Sequence, residues 1–157
     1  MGTFEYRQAE EIREALKRHG VRYLFIGKSG AILLGYPDTT QDADIFVEKN
    51  PENGRALVSA LREVGFDLSA GQEAEIVRGK DFVQLRTGPF DLDLVFAPDG
   101  IERFEDAFRR HVDVEGFPVC HIDDIIASKE ASGRAKDRES LPRLKAFREY
   151  WIARNRR

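Results

Sequence analysis

Apolar residues at Ala9, Ile12 and Leu16, three and four apart among charges, predict an amphipathic helix over 5–19 that Gly20 ends. The pattern then changes period. VRYLFIG, residues 21–27, is a β-rich apolar run closing on glycine, which predicts a buried strand. SGAILLGY (29–36) reads as a short helix, YPDTTQ (36–41) as a turn, and ADIFVE (43–48) as a second strand entered through Asp42. Asn50 and Pro51 announce the next helix, which sets Leu57, Leu61 and Val64 along one face. Residues 66–87 read as one or two strands with loops, clearest in DFVQLRT (81–87). Gly88-Pro89 turns the chain into FDLDLVF, where Phe90, Leu92, Leu94 and Phe96 alternate with Asp91, Asp93 and Val95. IERFEDAFRRH (101–111) predicts a helix showing Ile101, Phe104 and Phe108, and a short strand pair follows around 111–121. IDDIIASKEASG (122–133) predicts a helix capped by Asp123 or Asp124 and stopped by Gly133. The last helix is expected to begin near Ser140-Leu141-Pro142.

Helices and strands alternate, but hairpin-like pairs interrupt the alternation. The expected class is α/β of the α+β kind, a mixed sheet flanked by helices with further helices at the C-terminus. No linker, repeat or low-complexity tract divides the 157 residues. The expectation is therefore one domain over 1–157, with a core of about 20–121 and a helical part of about 122–157. The longest apolar runs, such as AILL, fall far short of the roughly 20 residues a membrane helix requires. The first 20 residues lack the apolar centre of a signal peptide. Cys120 is the single cysteine, so no internal disulfide forms, and in FPVCHI it reads as a small buried apolar residue. A cytoplasmic location and no membrane partner are expected.

Charge refines this picture by its placement. The net charge is −3, which argues against an indiscriminate polyanion binder, yet residues 134–157 carry nine Lys/Arg against three Asp/Glu. The simplest reading of that segment is a solvated helix with a basic tail. The alternative is a polyanion contact beside an acidic pocket.

Two stretches suggest chemistry. Gly27-Lys28-Ser29 ends like a phosphate-binding P-loop, but the required first glycine falls on Arg22, inside the predicted strand. The P-loop is excluded. Asp42 and Asp44, two apart at a strand start, project to one face and repel each other unless a cation lies between them. A calcium loop would need Asp or Asn at 46 and glycine at 47, where Phe46 and Val47 stand. Asp91 and Asp93 repeat the same-face arrangement on a second strand whose other face is apolar. Solvent exposure explains one such pair; two pairs on separate strands favour a site for hard divalent cations. Two ions about 3.5–4 Å apart suit phosphoryl transfer. His19, His111 and His121 are scattered, which leaves zinc without ligands.

Taken together, these segments resemble the nucleotidyltransferase superfold. Ile26-Gly27-Lys28 is followed by thirteen residues and then Asp42-Ala43-Asp44-Ile45. Gly35-Tyr36, Thr40, Asp42 and Asp44 fall in the register of the small bacterial branch that includes AbiE-type toxin nucleotidyltransferases. DLVFAPDG resembles the third-carboxylate strand and selects Asp93 over Asp91. IDDIIASKEASGRAKD, with Lys129, Arg134, Lys136 and Asp137, resembles the C-terminal helix. The resemblance implies a metal-dependent transfer of a nucleoside monophosphate from an NTP to a hydroxyl acceptor. Asp42, Asp44 and Asp93 would be catalytic and hold two Mg²⁺, or Mn²⁺. Gly27, Lys28, Ser29, Thr40 and Lys129 would hold or frame the nucleotide, and Arg134 with Asp137 would form an internal ion pair. It implies RNA or tRNA as acceptor, met by the basic C-terminus, and an antitoxin protein as partner. Other branches modify antibiotics or proteins. Two departures stand out: Lys28 replaces the usual second Gly or Ser, and Asp38 stands where a basic residue is common. Both leave open a catalytically silent binding module of the same fold.

Overall fold

A computed structural model describes residues 3–155. Its helices are α1 (Tyr6–Arg18), α2 (Gly27–Leu34), α3 (Pro51–Val64), α4 (Ala70–Arg78), α5 (Phe104–Arg110), α6 (Ile122–Ser132) and α7 (Ala135–Asn155). The strands are β1 (Tyr23–Ile26), β2 (Asp42–Val47), β3 (Phe82–Leu85), β4 (Asp91–Val95), β5 (Val112–Val114) and β6 (Phe117–Val119). They form one six-stranded sheet in the order β3-β4-β2-β1-β6-β5. β2 runs parallel to β4 and β1 parallel to β6, whereas β1–β2, β3–β4 and β5–β6 are antiparallel. The mixed sheet expected from interrupted alternation is therefore the one formed.

The central strands are apolar on both faces because helices cover both. Leu24, Phe25, Ile45, Phe46, Leu92 and Leu94 are buried, and edge-to-face contacts link Tyr23, Phe25 and Phe117 at 5.5 and 5.6 Å between ring centroids. Ile12 and Leu16 of α1 bury the stripe that the sequence spacing marks, and α1 packs on α3. Cys120 is buried, and burial pushes its thiol well above its ordinary pKa, so the residue is packing. Among the described residues no helix is long and apolar enough to cross a membrane.

Three expectations need correction. Residues 66–87 contain a helix, α4, as well as strand β3. Ser69 and Gln72 form a capping box, with Ser69 Oγ accepting from Gln72 N at 3.1 Å and Gln72 Oε1 accepting from Ser69 N at 2.9 Å. With only Ile76 fully buried, α4 shows no apolar stripe for a periodicity argument to find. α7 begins at Ala135, and Pro142 lies inside it. Its first turn is anchored by buried Asp137, which accepts from Arg134 Nε at 3.0 Å. α6 is capped by His121, whose Nδ1 accepts from Asp123 N at 3.0 Å. Asp124 instead meets Arg110 through two 2.9 Å bonds.

α3 and α4 touch through Gly54. A Cβ there would lie 2.8 Å from Val77 Cα, so the two backbones must separate to admit one. Alanine gains about 0.5–1 kcal/mol of helix propensity over glycine, but overpacking a tight contact costs about 1–3 kcal/mol. Gly54→Ala is expected to lower stability by about 1–2 kcal/mol on balance, read from the midpoint of urea unfolding.

Candidate active site

The parallel register of β2 and β4 sets Asp42 beside Asp91 and Asp44 beside Asp93. β1 flanks the other side, with Ile26 opposite Asp44. One carboxylate oxygen each from Asp42, Asp44 and Asp93 fall within 4.8 Å of one another, while Asp91 stands outside this group. The arrangement follows from the period of two along each strand and the zero offset between them.

Neighbouring residues hold the three acids in place. Gly27 opens α2 with φ +66°, and a Cβ on it would meet Asp44 Oδ2 at 2.5 Å. Ser29, expected to face phosphates, is buried instead. Its hydroxyl donates to the Ile26 carbonyl at 3.1 Å and accepts from Asp44 N at 2.9 Å, tying the start of α2 to the acid strand. Thr40 Oγ1 donates to the Asp42 carbonyl at 3.1 Å and lies 3.3 Å from Asp42 Oδ1. These are positioning contacts.

Burial and mutual repulsion dominate the electrostatics. Asp44 is held well above the usual carboxylate range, first by the loss of water around it, then by the charges of Asp93 and Asp42. Asp93 is also raised by burial, against the opposing pull of Arg86. Each of the two carboxylates therefore holds its proton more tightly than a free one, and they titrate as a pair. Asp93 Oδ1 is buried without a well-formed hydrogen bond, although Arg86 Nη1 stands 2.7 Å from it. An all-carboxylate set with an unsatisfied buried oxygen fits a hard divalent cation such as Mg²⁺.

Arg86 escaped the sequence reading. It follows the end of β3 and reaches Asp93 and, at 3.6 Å, Asp42. The signal was a lone cation closing DFVQLRT, but its target depends on the β3–β4 pairing.

The acids lie at the meeting of two lobes of a cleft, each about 570–610 Å³. One lobe opens towards β3 and the 97–99 loop, with Phe82, Gln84, Arg86 and Asp99 in its wall. The other opens between α2, the 36–41 loop and α7, with Lys28, Tyr36 and Arg143. Lys129, Arg134 and Lys136 border both. Lys28 and Asp38, the two departures, neutralise each other at 3.0 Å, and Arg143 adds a 3.6 Å contact to Asp38. The Thr39 amide, and then the pairing with Lys28, hold Asp38 below the usual carboxylate range. Lys129 Nζ lies 3.3 Å from Asp137, which Arg134 also meets at 3.0 Å. That buried carboxylate orders the α6–α7 junction and keeps Lys129 at the cleft wall. Arg156 and Arg157 of the basic tail lie outside the described residues.

No protein-family model matches the chain, and no curated protein does. Solved structures do. A candidate nucleotidyltransferase from Thermotoga maritima, TM1012, is 18% identical at a TM-score of 0.59, covering 90% of this chain and 92% of its own. The lincosamide antibiotic adenylyltransferase LnuA, solved with lincomycin bound, is 12% identical at a TM-score of 0.64, covering 92% of this chain and 98% of its own. At such identities the likeness speaks for the backbone alone, and on it the sheet and its flanking helices form a nucleotidyltransferase fold.

Proposed function

We propose that this protein transfers a nucleoside monophosphate from an NTP to a hydroxyl acceptor. The observation that carries the proposal is the convergence of Asp42, Asp44 and Asp93 at the junction of two lobes. A single floor serving two open spaces suits a reaction that joins two substrates. Asp42 and Asp44 would hold the nucleotide's divalent ion, and Asp93 would complete a second site. Ions there would neutralise charge on the attacking and leaving oxygens.

The chain's own residues account for the rest. The backbone at Gly27 leaves open the space over the Asp44 carboxylate. Lys28, Lys129 and Lys136 offer cations to the triphosphate from the cleft walls. Asp93, beside the second ion, would take the proton of the acceptor hydroxyl. The new oxygen–phosphorus bond forms at the α-phosphate as its bond to the bridging oxygen breaks, and pyrophosphate leaves with that electron pair.

For the acceptor we favour RNA. Among the described residues Lys136, on the wall of both lobes, has no carboxylate partner, which leaves an unneutralised cation at the cleft for a polyanion. A toxin-like role with an antitoxin partner belongs to the same reading. One observation favours a silent binding module: Arg86 and Asp38 already neutralise the acids and Lys28 from within.

Incubation with Mg²⁺, each labelled NTP and total RNA decides between them. Wild type is expected to label RNA. Asp42→Ala, altered at a partly exposed position, is expected to lose at least about a hundredfold in rate. Absence of labelling by wild type on RNA and on small hydroxyl-bearing acceptors would leave the silent module.

A further inference from the structure

Arg86 contacts two of the three acids that would hold a divalent cation. Its guanidinium lies 2.7 Å from Asp93 Oδ1 and 3.6 Å from Asp42 Oδ2, so it spans the acids from both strands of the proposed site. It reaches them from the residue after β3, the edge strand of the sheet, with its own side chain about 39% exposed. Asp93 by contrast is almost wholly buried. A buried carboxylate needs a positive partner, and in this chain the partner is a side chain able to swing towards solvent. The hydrogen-bond geometry at Asp93 Oδ1 is poor despite the short distance, so the contact is held by charge and its directional component is weak.

We propose that Arg86 is a resident counter-cation that competes with divalent ions for Asp42 and Asp93, so that the free protein binds such ions weakly and loads them together with the triphosphate. The inference rests on the proposed metal-dependent reading of the same site. Two positive groups cannot occupy one carboxylate pocket without mutual repulsion, and an incoming ion must displace the guanidinium. A triphosphate favours that displacement because it brings negative charge with its own ion, offering the released arginine a new partner within the same cleft. Arg86 is thus a positioning residue whose contacts govern when the site fills.

The test is calorimetric titration of nucleotide-free protein with Mn²⁺, the probe ion, for wild type, Arg86→Gln and Arg86→Lys. Arg86→Gln is expected to bind Mn²⁺ about tenfold more tightly than wild type, since partial exposure screens the lost repulsion. Arg86→Lys keeps the charge but loses the fork that spans two carboxylates, and is expected to fall between. A non-hydrolysable triphosphate added first is expected to narrow the gap between wild type and Arg86→Gln. Equal or weaker Mn²⁺ binding by both variants would overturn the competition while leaving the metal site standing. If none of the three proteins binds Mn²⁺, with or without the triphosphate, the metal reading itself fails and this inference with it. Should Arg86→Gln not fold, Arg86→Lys alone decides by the same comparison.

Discussion

Without divalent ions, Asp44→Asn is expected to melt above wild type at neutral pH while losing about a thousandfold or more in transfer rate. Asp44 is strained electrostatically, not sterically. At an effective dielectric near 20, two ionised carboxylates 4.8 Å apart repel by about 3 kcal/mol, less where water reaches them. That is a sizeable share of the net stability of an ordinary domain, about 5–15 kcal/mol. Burial first, then the charges of Asp93 and Asp42, holds the Asp44 pKa well above its ordinary 3.8, so folding favours the protonated form of this carboxyl. The sign of the pH dependence follows. A group that binds its proton more tightly folded than unfolded adds stability below the ordinary carboxylate range. That stability is lost as pH rises through the raised value. Wild type in chelator should therefore lose melting temperature between acid and neutral pH, while Asp44→Asn, lacking the titration, loses less. The two should converge in acid. Adding Mg²⁺ at neutral pH should raise wild type and leave the variant unmoved, because binding to the folded state alone adds stability. Ion uptake would also release a proton, measurable as a buffer-dependent heat. A variant that melts no higher than wild type at neutral pH in chelator would mean that the three acids do not repel as their spacing implies.

Much of this geometry was legible because it depends on period and register. The same-face pairs Asp42/Asp44 and Asp91/Asp93 follow from alternation along a strand, and the zero offset of β2 on β4 turns two pairs into one cluster. Resemblance, not spacing, selected Asp93, and the cluster does exclude Asp91. What the sequence concealed depends on contacts between distant segments. Arg86 meets Asp93 only because β3 pairs with β4, and Ser29 is withdrawn into the backbone only because α2 starts directly at the end of β1. Lys28 and Asp38 appeared as two separate departures, one adding positive charge to the site and one negative. Across a ten-residue gap that sequence spacing cannot fold, they are one ion pair. α4 went unseen for a different reason: its start carries a legible capping box, Ser69 to Gln72, but its face offers too few apolar positions to show a helical period.

Gly27→Ala is expected to abolish metal binding and transfer while leaving a folded protein. Two penalties fall on this one methyl group and they are separable. The first is conformational: φ of +66° is left-handed backbone that costs a β-carbon about 1–2 kcal/mol. The second is positional, since the new Cβ would lie 2.5 Å from Asp44 Oδ2 and 3.1 Å from its carboxyl carbon. Asp44 is fixed from behind, its amide held by Ser29 and its strand paired on both sides, so only its side chain can yield. It must rotate off the face it shares with Asp93, and the cluster opens. Gly35→Ala separates the two penalties. Gly35 has an even more positive φ, +114°, but a Cβ there meets only the Phe147 ring at an ordinary 3.9 Å. Both variants should lose stability by about 1–2 kcal/mol. Only Gly27→Ala should lose Mn²⁺ binding in calorimetry and at least about a hundredfold in transfer rate. Retained ion binding in Gly27→Ala would mean that the open space over Asp44 serves the backbone turn and not the ligand. Equal losses in the two glycine variants would assign the effect to strain in general. The prediction thus turns on one contrast, between a methyl group that reaches a carboxylate and one that reaches an aromatic ring.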